Sequence, residues 1–222
     1  MPRLVLGLAL ALAAVPAAAQ DTDRVFVGAL AGVSALSADA RTETDPDTAA
    51  VSLYDPHNGP AVNVFGGIHI AEYFSLQVNW MWNRNDLRLF ASETSPSVGG
   101  FYEQQRTSAQ QAVVFDGLIY FRRRESAIRP YLGTGLSILH FSRDPAAASG
   151  AGSLPPPPGA ISSTPLGLRS HVGIDFRLSR HLAFRYSFSE TISGNPISPA
   201  LTPPGKRNLM NFQNLFGLLA RF

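Results

Sequence analysis

The 222-residue sequence contains no cysteine and only one lysine, Lys206, among its 18 basic residues. The absence of cysteine excludes disulfide scaffolds, thiolate metal sites and cysteine nucleophiles. Only 15% of the residues are charged, well below the roughly 25% of an ordinary soluble domain. No apolar run reaches the roughly 18 residues of a membrane-spanning helix. The composition therefore fits neither a helical membrane protein nor a typical soluble domain.

Aromatic residues are plentiful, with 14 Phe, 6 Tyr and 2 Trp, although the mean hydropathy is only +0.04. A disordered chain is poor in such residues, so this composition indicates a folded protein. The only basic cluster, Arg122-Arg123-Arg124, lies beside a predicted turn. No stretch has the clustered positive charge of a nucleic-acid-binding surface, and we expect no nucleic-acid partner.

The N-terminus has the features of a cleavable export signal. Arg3 supplies the positive charge, and the apolar segment Leu4–Val15 is too short to span a bilayer. Pro16 ends this segment, and three alanines before Gln20 provide the small residues that a signal peptidase requires. We predict a signal peptide over residues 1–19 and one domain over residues 20–222.

Apolar and polar residues alternate with a period of two through the rest of the chain, which indicates β-strands. The strand of residues 73–88 illustrates the pattern, because Phe74, Leu76 and Val78 alternate with Ser75 and Gln77. Most of these strands exceed the usual five or six residues and suit a tilted membrane crossing of about 9–11 residues. The pattern predicts eight strands, at 24–37, 60–71, 73–88, 108–122, 129–143, 164–178, 181–193 and 208–222.

The predicted connections between these strands alternate between short and long. The short ones lie near Ala71-Glu72, at Arg123–Ile128 and at Ser179-Arg180. The long segment Asp144–Ser163 is rich in Ala, Gly and Ser and contains the polyproline run Pro155–Pro158, and we expect no regular structure in this segment. An outer-membrane barrel has short periplasmic turns and longer external loops, as here. The long segments are Ala38–Gly59, Phe90–Thr107, Asp144–Ser163 and Gly194–Arg207.

The two faces of the strands differ in a way that predicts contact with lipid. One face is rich in glycine and polar residues, which would fill a hydrophobic core poorly, so we assign that face to the interior of the barrel. The sequence therefore predicts an all-β fold, an eight-stranded antiparallel up-and-down transmembrane β-barrel. Its predicted lipid-facing residues are Trp80, Trp82, Phe184, Tyr186, Phe188, Phe212 and Phe216.

The inward face carries ionisable residues, which need partners when they are buried. Asp175 and Arg185 lie on consecutive strands, and we predict an ion pair between them. Asp116 is expected to pair with one of the other arginines. This polar interior is interpreted as a structural plug, with a conducting or gated pore as the alternative. The predicted interior network comprises Arg24, His69, Asp116, Arg169, His171, Asp175, Arg177, Arg185 and Arg221.

These features resemble the small eight-stranded outer-membrane barrels of Gram-negative bacteria, of the OmpA/OmpW type. The resemblance covers the mature chain and includes the strand opening Pro130–Gly135 and the terminal aromatic Phe222. It implies a monomeric, integral protein of the outer membrane. Such a protein would contact outer-membrane lipids and lipopolysaccharide. It also implies insertion by the barrel-assembly machinery, whose recognition signal would fall on Phe216, Leu218, Ala220 and Phe222.

Chemical motifs are sparse in the sequence. It has no P-loop, GxGxxG, HExxH or GxSxG motif, and its five histidines lack metal-ligand spacing, so we predict neither a cofactor nor a metal. The segment Ser193-Gly194-Asn195 faintly resembles a lipid A deacylase motif, but Thr191 occupies the position of the required histidine. Outward-facing His140, Ser170 and Glu190 are the remaining candidates for a catalytic triad. The alternative is that these three polar residues mark the upper membrane interface.

From these observations, we expect a non-enzymatic outer-membrane barrel with a structural and surface-display role. A narrow channel for small solutes is the alternative function. A lipid A-modifying, deacylase-like enzyme is the further alternative, which requires the triad to assemble.

Overall fold

The computed structural model describes residues 24–37, 39–45, 48–94, 99–143, 148–152, 161–196 and 208–222. The predicted signal peptide lies outside these residues. All regular elements within them are β-strands, and none is a helix long and apolar enough to cross a membrane. The strands are β1 (Val25–Leu36), β2 (Asp39–Asp45), β3 (Thr48–Pro56), β4 (Gly59–His69), β5 (Phe74–Thr94), β6 (Gly100–Tyr120), β7 (Ile128–Arg143), β8 (Ala148–Gly152), β9 (Ile161–Ser163), β10 (Leu166–Arg177), β11 (Leu182–Gly194) and β12 (Asn208–Arg221).

Eight of these strands form a closed antiparallel barrel in the order β1-β4-β5-β6-β7-β10-β11-β12. The first and last strands close the ring, because β1 pairs with β12 from Phe26 opposite Arg221 to Leu36 opposite Asn211. Closure satisfies the backbone hydrogen bonds of every spanning strand, as a membrane environment requires. The predicted fold class and its eight strands are therefore confirmed.

Outward and inward side chains alternate along each strand of the barrel. The predicted lipid-facing aromatics all lie on the outward face, where Tyr186, Phe188 and Phe216 are exposed, and the other four are half-buried by their neighbours. Asn214 interrupts this apolar face, but its side-chain oxygen accepts a hydrogen bond of 2.9 Å from the Tyr186 hydroxyl. This bond reduces the cost of placing an amide against lipid.

The hairpin of β5 and β6 extends far beyond its neighbours at the long-loop end. The two strands pair from Phe74 opposite Ile119 to Glu93 opposite Gly100, whereas β4 leaves β5 at Asn83 and β7 leaves β6 at Ser108. Above these points β3 pairs with β5, β2 pairs with β3, and β8 pairs with β6. We call this part, formed by β2, β3, β8 and the ends of β5 and β6 beyond Asn83 and Ser108, the external sheet. At roughly 3.3 Å per residue, it extends for about 30 Å along its strands.

The external sheet corrects three expectations about the loops. The segment Ala38–Gly59 contains the β2–β3 hairpin, and most of Phe90–Thr107 belongs to β5 and β6. The expectation of no regular structure in Asp144–Ser163 is wrong, because this segment contributes β8 and β9. Pro155–Pro158 itself lies outside the described residues. Periodicity missed these strands because a sheet outside the membrane need not alternate apolar and polar residues; backbone pairing alone extends it.

Candidate functional site

The interior of the barrel is the candidate functional site, since it brings together most of the charged residues that the sequence placed inside. Glycines make room for it. A Cβ atom added at Gly133 would overlap the imidazole of His171, and one added at Gly173 would overlap the ring of Tyr131. Inward rings and charged groups therefore pack directly against the backbone at these glycines. Their small size leaves space that neighbouring side chains occupy.

The Asp175–Arg185 ion pair crosses between β10 and β11 near the short-turn end. The two residues are directly opposite in the ladder, and the guanidinium is bidentate, with Nε–Oδ1 at 2.6 Å and Nη2–Oδ2 at 2.9 Å. Arg185 also donates to Gln77 Oε1 at 2.8 Å and to the Tyr120 hydroxyl at 2.9 Å. Both members of the predicted pair are 1% exposed.

Aromatic rings surround the Arg185 guanidinium. Its central carbon lies 4.7 Å from the ring centroid of Tyr131 and 4.9 Å from that of Phe65. Such rings attract a cation through their electron-rich faces, and the attraction is strongest where water is excluded. The aromatic side chains inside the lower barrel therefore stabilise the charge as well as filling space.

A second ion pair joins β6 and β10, closer to the long-loop end of the barrel. Arg169 Nη1 is 2.6 Å from Asp116 Oδ2, and the Asn79 amide donates to the same oxygen at 2.8 Å. His171 Nε2 lies 3.3 Å from this oxygen. We call Asp116, Arg169, His171, Asp175 and Arg185 the charged layer; it ties together β6, β10 and β11, which supply its members.

Neutral amides and hydroxyls fill the interior above the charged layer. Asn211 Nδ2 donates to Gln110 Oε1 at 3.0 Å and to Asn83 Oδ1 at 3.2 Å, and Asn83 donates to Asn85 Oδ1 at 2.7 Å. Ser34 completes the network through its hydroxyl, which donates to Asn211 Oδ1 at 2.8 Å. We call this set, which spans β1, β5, β6 and β12, the amide layer: Ser34, Asn83, Asn85, Gln110, Asn211 and Gln213.

An apolar cluster lies at the long-loop end of the interior. It is built by the upper ends of four strands, and each of its side chains is at most 7% exposed. Two of its members, Leu87 and Leu89, come from β5 just beyond Asn83, where β4 leaves this strand, so the base of the external sheet supplies part of the cluster. We call this cluster the apolar cap: Leu36, Leu87, Leu89, Phe141 and Leu209.

The structure places seven of the nine predicted interior residues inside the barrel. His69 and Arg221 join the charged layer near the short-turn end: His69 Nδ1 lies 2.6 Å from Ser75 Oγ, and Arg221 Nη2 lies 3.8 Å from Asp175 Oδ2. Arg24 and Arg177 are exposed, and their predicted inward placement is wrong. Both have inward parity, but they lie at the strand ends, where the chain reaches the rim.

Sequence reasoning missed Arg129, which is fully buried. Its guanidinium lies 3.5 Å from the ring centroid of Tyr120 and donates to the backbone oxygens of Glu72 and Arg122. The alternation that placed Tyr131 inside also places Arg129 inside, so the signal was present. The amide layer was also missed, because neutral Asn, Gln and Ser side chains carry no charge whose burial would call for a partner.

The proposed catalytic triad does not assemble. Ser170 lies directly opposite Glu190, but its partner on β7 is Thr134, and His140 instead faces Thr164, with Nδ1 3.1 Å from that hydroxyl. Six residues of strand separate the levels of Ser170 and His140, which corresponds to about 20 Å. Counted from the predicted strand ends at 129 and 178, His140 lies eleven residues and Ser170 eight residues along their strands, so their heights were only similar, and the pairing register widens the difference. Among the described residues, no three His, Asp or Glu side chains cluster in a way that could hold a metal ion.

Comparison with known proteins identifies the family. Residues 5–218 match the family described as the outer membrane protein beta-barrel domain. The fold is similar to Neisserial surface protein A, with 16% identity, a TM-score of 0.51, and coverage of 89% of this chain and 97% of that chain. OprG from Pseudomonas aeruginosa is 13% identical, with a TM-score of 0.49 and coverage of 90% and 97%. No curated protein sequence matches the chain.

The family match, the closed barrel and its outward apolar face agree with one another. In outer-membrane barrels, the class that the family match describes, short turns lie at the periplasmic end and longer connections outside the cell, so the external sheet is assigned to the cell surface. The chain belongs to the outer membrane protein beta-barrel family and is an integral β-barrel of a Gram-negative outer membrane.

Proposed function

We propose that this protein is a non-enzymatic barrel that supports the outer membrane and displays an external sheet, with an interior closed to solutes. The observation that carries the proposal is the filling of the interior along its length. The charged layer, the amide layer and the apolar cap follow one another from the periplasmic to the external end. Their side chains make bonds across the barrel, so a solute would have to displace several of them together.

The external sheet supports the display role. It continues β5 and β6 beyond the barrel and adds β2, β3 and β8 at its sides. Polar contacts lie on the outward face of β5 and β6 at the base of this sheet; Arg88 Nε lies 2.8 Å from Glu103 Oε1, and the Thr107 hydroxyl donates to Asp86 Oδ1 at 2.7 Å. A hydrogen-bonded sheet that extends beyond the barrel and carries such polar contacts suits exposure to the aqueous surroundings of the cell.

The separation of His140 from Ser170 removes the strongest argument for a lipid A-modifying enzyme. Ser193, the hydroxyl of the deacylase-like segment, is 6% exposed and points into the barrel. A lipid substrate approaches the outer wall, so this hydroxyl does not meet it. Mass spectrometry of lipid A from cells with and without the protein tests this part; a lipid A species that requires the protein would overturn the non-enzymatic role.

A narrow channel is the second candidate, and one observation favours it. Asp116 Oδ1, Arg169 Nε and His171 Nδ1 are buried without a hydrogen-bonding partner among the described residues, and Ser137 Oγ on β7 is a further such atom. Buried polar atoms of this kind commonly bind internal water. A row of such waters would be the start of a narrow aqueous path.

Single-channel recordings in planar bilayers decide between the plug and the channel. The purified full-length barrel is added at increasing concentration, with a general-diffusion porin as the positive control for insertion. We expect a quiet membrane for this protein although fractionation shows that it has inserted. Reproducible conductance steps from the wild-type protein would overturn the closed interior and establish the channel.

Display is tested by an epitope tag inserted between Thr94 and Gly99, at the tip of the β5–β6 hairpin. We expect antibody to bind the tag on intact cells as strongly as on permeabilised cells. A matched tag in the periplasmic turn, between Arg124 and Glu125, should be detected only after permeabilisation. The reverse pattern would contradict the assigned orientation.

Export and assembly complete the proposal. The signal peptide should be removed after Ala19, so N-terminal sequencing of the mature protein should begin at Gln20. The proposed assembly signal comprises Phe216, Leu218 and Ala220, which lie on the outward face of β12, and Phe222, which follows its last residue. Deletion of Phe222 should reduce the amount of heat-modifiable barrel in the membrane fraction.

The barrel is proposed to act as a monomer among outer-membrane lipids and lipopolysaccharide. Light scattering in detergent should give a protein mass that corresponds to one chain.

A further inference from the structure

Four exposed arginines lie together on one part of the periplasmic rim. Arg122 and Arg123 belong to the turn between β6 and β7, and Arg177 and Arg180 flank the turn between β10 and β11. These turns are neighbours because β7 pairs with β10, and the Arg177 backbone nitrogen donates to the Ala127 oxygen at 2.8 Å. We call these four residues the arginine arc.

The arginine arc lies immediately below the apolar outer wall. Phe121 precedes Arg122, Phe176 precedes Arg177, and Leu178 lies between the two arginines of the second turn. Their side chains are 58%, 37% and 60% exposed, respectively, as expected for residues that contact acyl chains. Guanidinium groups that follow such residues directly lie at the level of the lipid headgroups, where arginine side chains extend to the interface.

The positive charge of the arginine arc is little compensated. Among the described residues, none of its four members forms an ion pair. The carboxylate of Glu72 accepts a hydrogen bond of 2.7 Å from the Arg124 backbone nitrogen, so this acid is engaged outside the arc. Glu125 is the one acidic residue within the two turns.

The turn between β4 and β5 provides a contrast on the same rim. It contains Ile70, Ala71, Glu72 and Tyr73 and no basic residue. Among the three short turns of this rim, the excess of positive charge is therefore confined to the two that carry the arc; Arg24, just before β1, is a further exposed arginine on the rim. A general requirement of membrane insertion would not concentrate it on one part of the rim.

We propose that the arginine arc binds the headgroup of an anionic phospholipid in the periplasmic leaflet of the outer membrane. Guanidinium groups match phosphate oxygens in charge and in bidentate geometry. The adjacent apolar side chains would contact the acyl chains of the same lipid, which favours a phospholipid over a free phosphate or an acidic polymer. The site would hold one part of the barrel against a particular class of lipid.

Native mass spectrometry of the full-length barrel in detergent tests the proposal. Dioleoylphosphatidylglycerol and dioleoylphosphatidylcholine are titrated separately, and we expect the anionic lipid to bind at least about tenfold more tightly. The quadruple variant R122Q/R123Q/R177Q/R180Q should lose this preference, because each basic residue near an anionic surface contributes about a fivefold factor. Its substitutions are all at exposed positions, and heat-modifiable gel migration verifies that it is folded.

Two further variants sharpen the test. Arg84→Gln removes an exposed charge from the external end and should leave the lipid preference unchanged. Glu125→Gln removes the acid beside the arc and should tighten binding of the anionic lipid a few-fold. Equal binding of the two lipids by the wild type, or an unchanged preference in the folded quadruple variant, would overturn the proposal. So would arc-dependent cosedimentation with purified peptidoglycan in the absence of any lipid preference.

Discussion

The charged layer and the amide layer occupy the same barrel but are stabilised differently. Within the charged layer, Asp175 and Arg185 are almost completely buried and form a bidentate pair, and Asp116 pairs with Arg169 closer to the external end. The amide layer carries no formal charge, and its members exchange weaker hydrogen bonds across the barrel. A buried charge that loses its partner is far more costly than a buried amide that loses one of several bonds. The periplasmic half should therefore be the less tolerant of substitution.

The largest effect is expected from Arg185→Met, which leaves Asp175 without its bidentate partner. We expect a loss of about 3–5 kcal/mol in the free energy of unfolding, the usual result of breaking one side of a buried ion pair. Urea unfolding of the barrel in lipid vesicles, followed by gel mobility, measures this change. The double variant Asp175→Asn/Arg185→Met is the control and should recover much of the loss. If the single variant were as stable as the wild type, the ion pair would not be the tie between β10 and β11.

A smaller effect is expected where a glycine makes room for the charged layer. Gly133→Ala places a methyl group against the His171 ring and should cost about 1–3 kcal/mol through overpacking. Gly117→Ala is the matched control on β6, because its added methyl group would lie 4.0 Å from the nearest atom, the Thr134 oxygen. The two variants are compared in the same unfolding assay. Equal stability would show that the His171 ring can move aside and that the interior at Gly133 is not tightly packed.

In the amide layer, Asn85→Ala should cost about 1–2 kcal/mol, less than Arg185→Met. The substitution removes an amide that donates to the backbone oxygens of Ser34 and His57, at 3.1 Å and 2.9 Å. Asn58→Ala, at an exposed position in the connection before β4, is the matched control. An effect as large as that of Arg185→Met would remove the distinction between the two layers.

The smallest effect is expected outside the membrane, in the external sheet. Arg88→Gln breaks the ion pair with Glu103, in which both side chains are about one-third or more exposed. Pairs of this kind contribute about 0–1 kcal/mol, because water and salt screen them. The unfolding midpoint should therefore change little, and raising the salt concentration should reduce even that difference. A change comparable to that of Asn85→Ala would mean that the external sheet contributes to the stability of the barrel.

The sequence predicts the spanning part of the molecule well, for a clear physical reason. Lipid outside and a crowded interior impose opposite requirements on alternate residues, so Phe184 and Arg185 reveal their faces directly. Above the membrane that constraint ends, and the pattern did not reveal β2, β3, β8 or β9. The pairing register between strands is also not given by a single sequence: Ser170 and His140 lie at similar counts from their turns, but only the register shows how far apart they are.

The charged residues of the interior were partly predictable. Asp175 and Arg185 are close to a short turn, so their pairing follows from hairpin geometry, and the structure shows them directly opposite. The partner of Asp116 is 53 residues away, and only the closed barrel identifies it as Arg169. Arg24 and Arg177 show the limit of alternation, since parity alone does not tell where a strand leaves the membrane.

Quenching of tryptophan fluorescence by brominated lipids tests the face assignment most directly. The two tryptophans, Trp80 and Trp82, lie on the outward face of β5, at the external end of its apolar stretch. In vesicles of brominated phosphatidylcholine we expect strong quenching, greater with bromine near the headgroup than with bromine deep in the acyl chain, and little quenching by aqueous iodide. Fluorescence that brominated lipids leave unchanged would place these side chains inside the barrel and contradict the membrane-facing assignment.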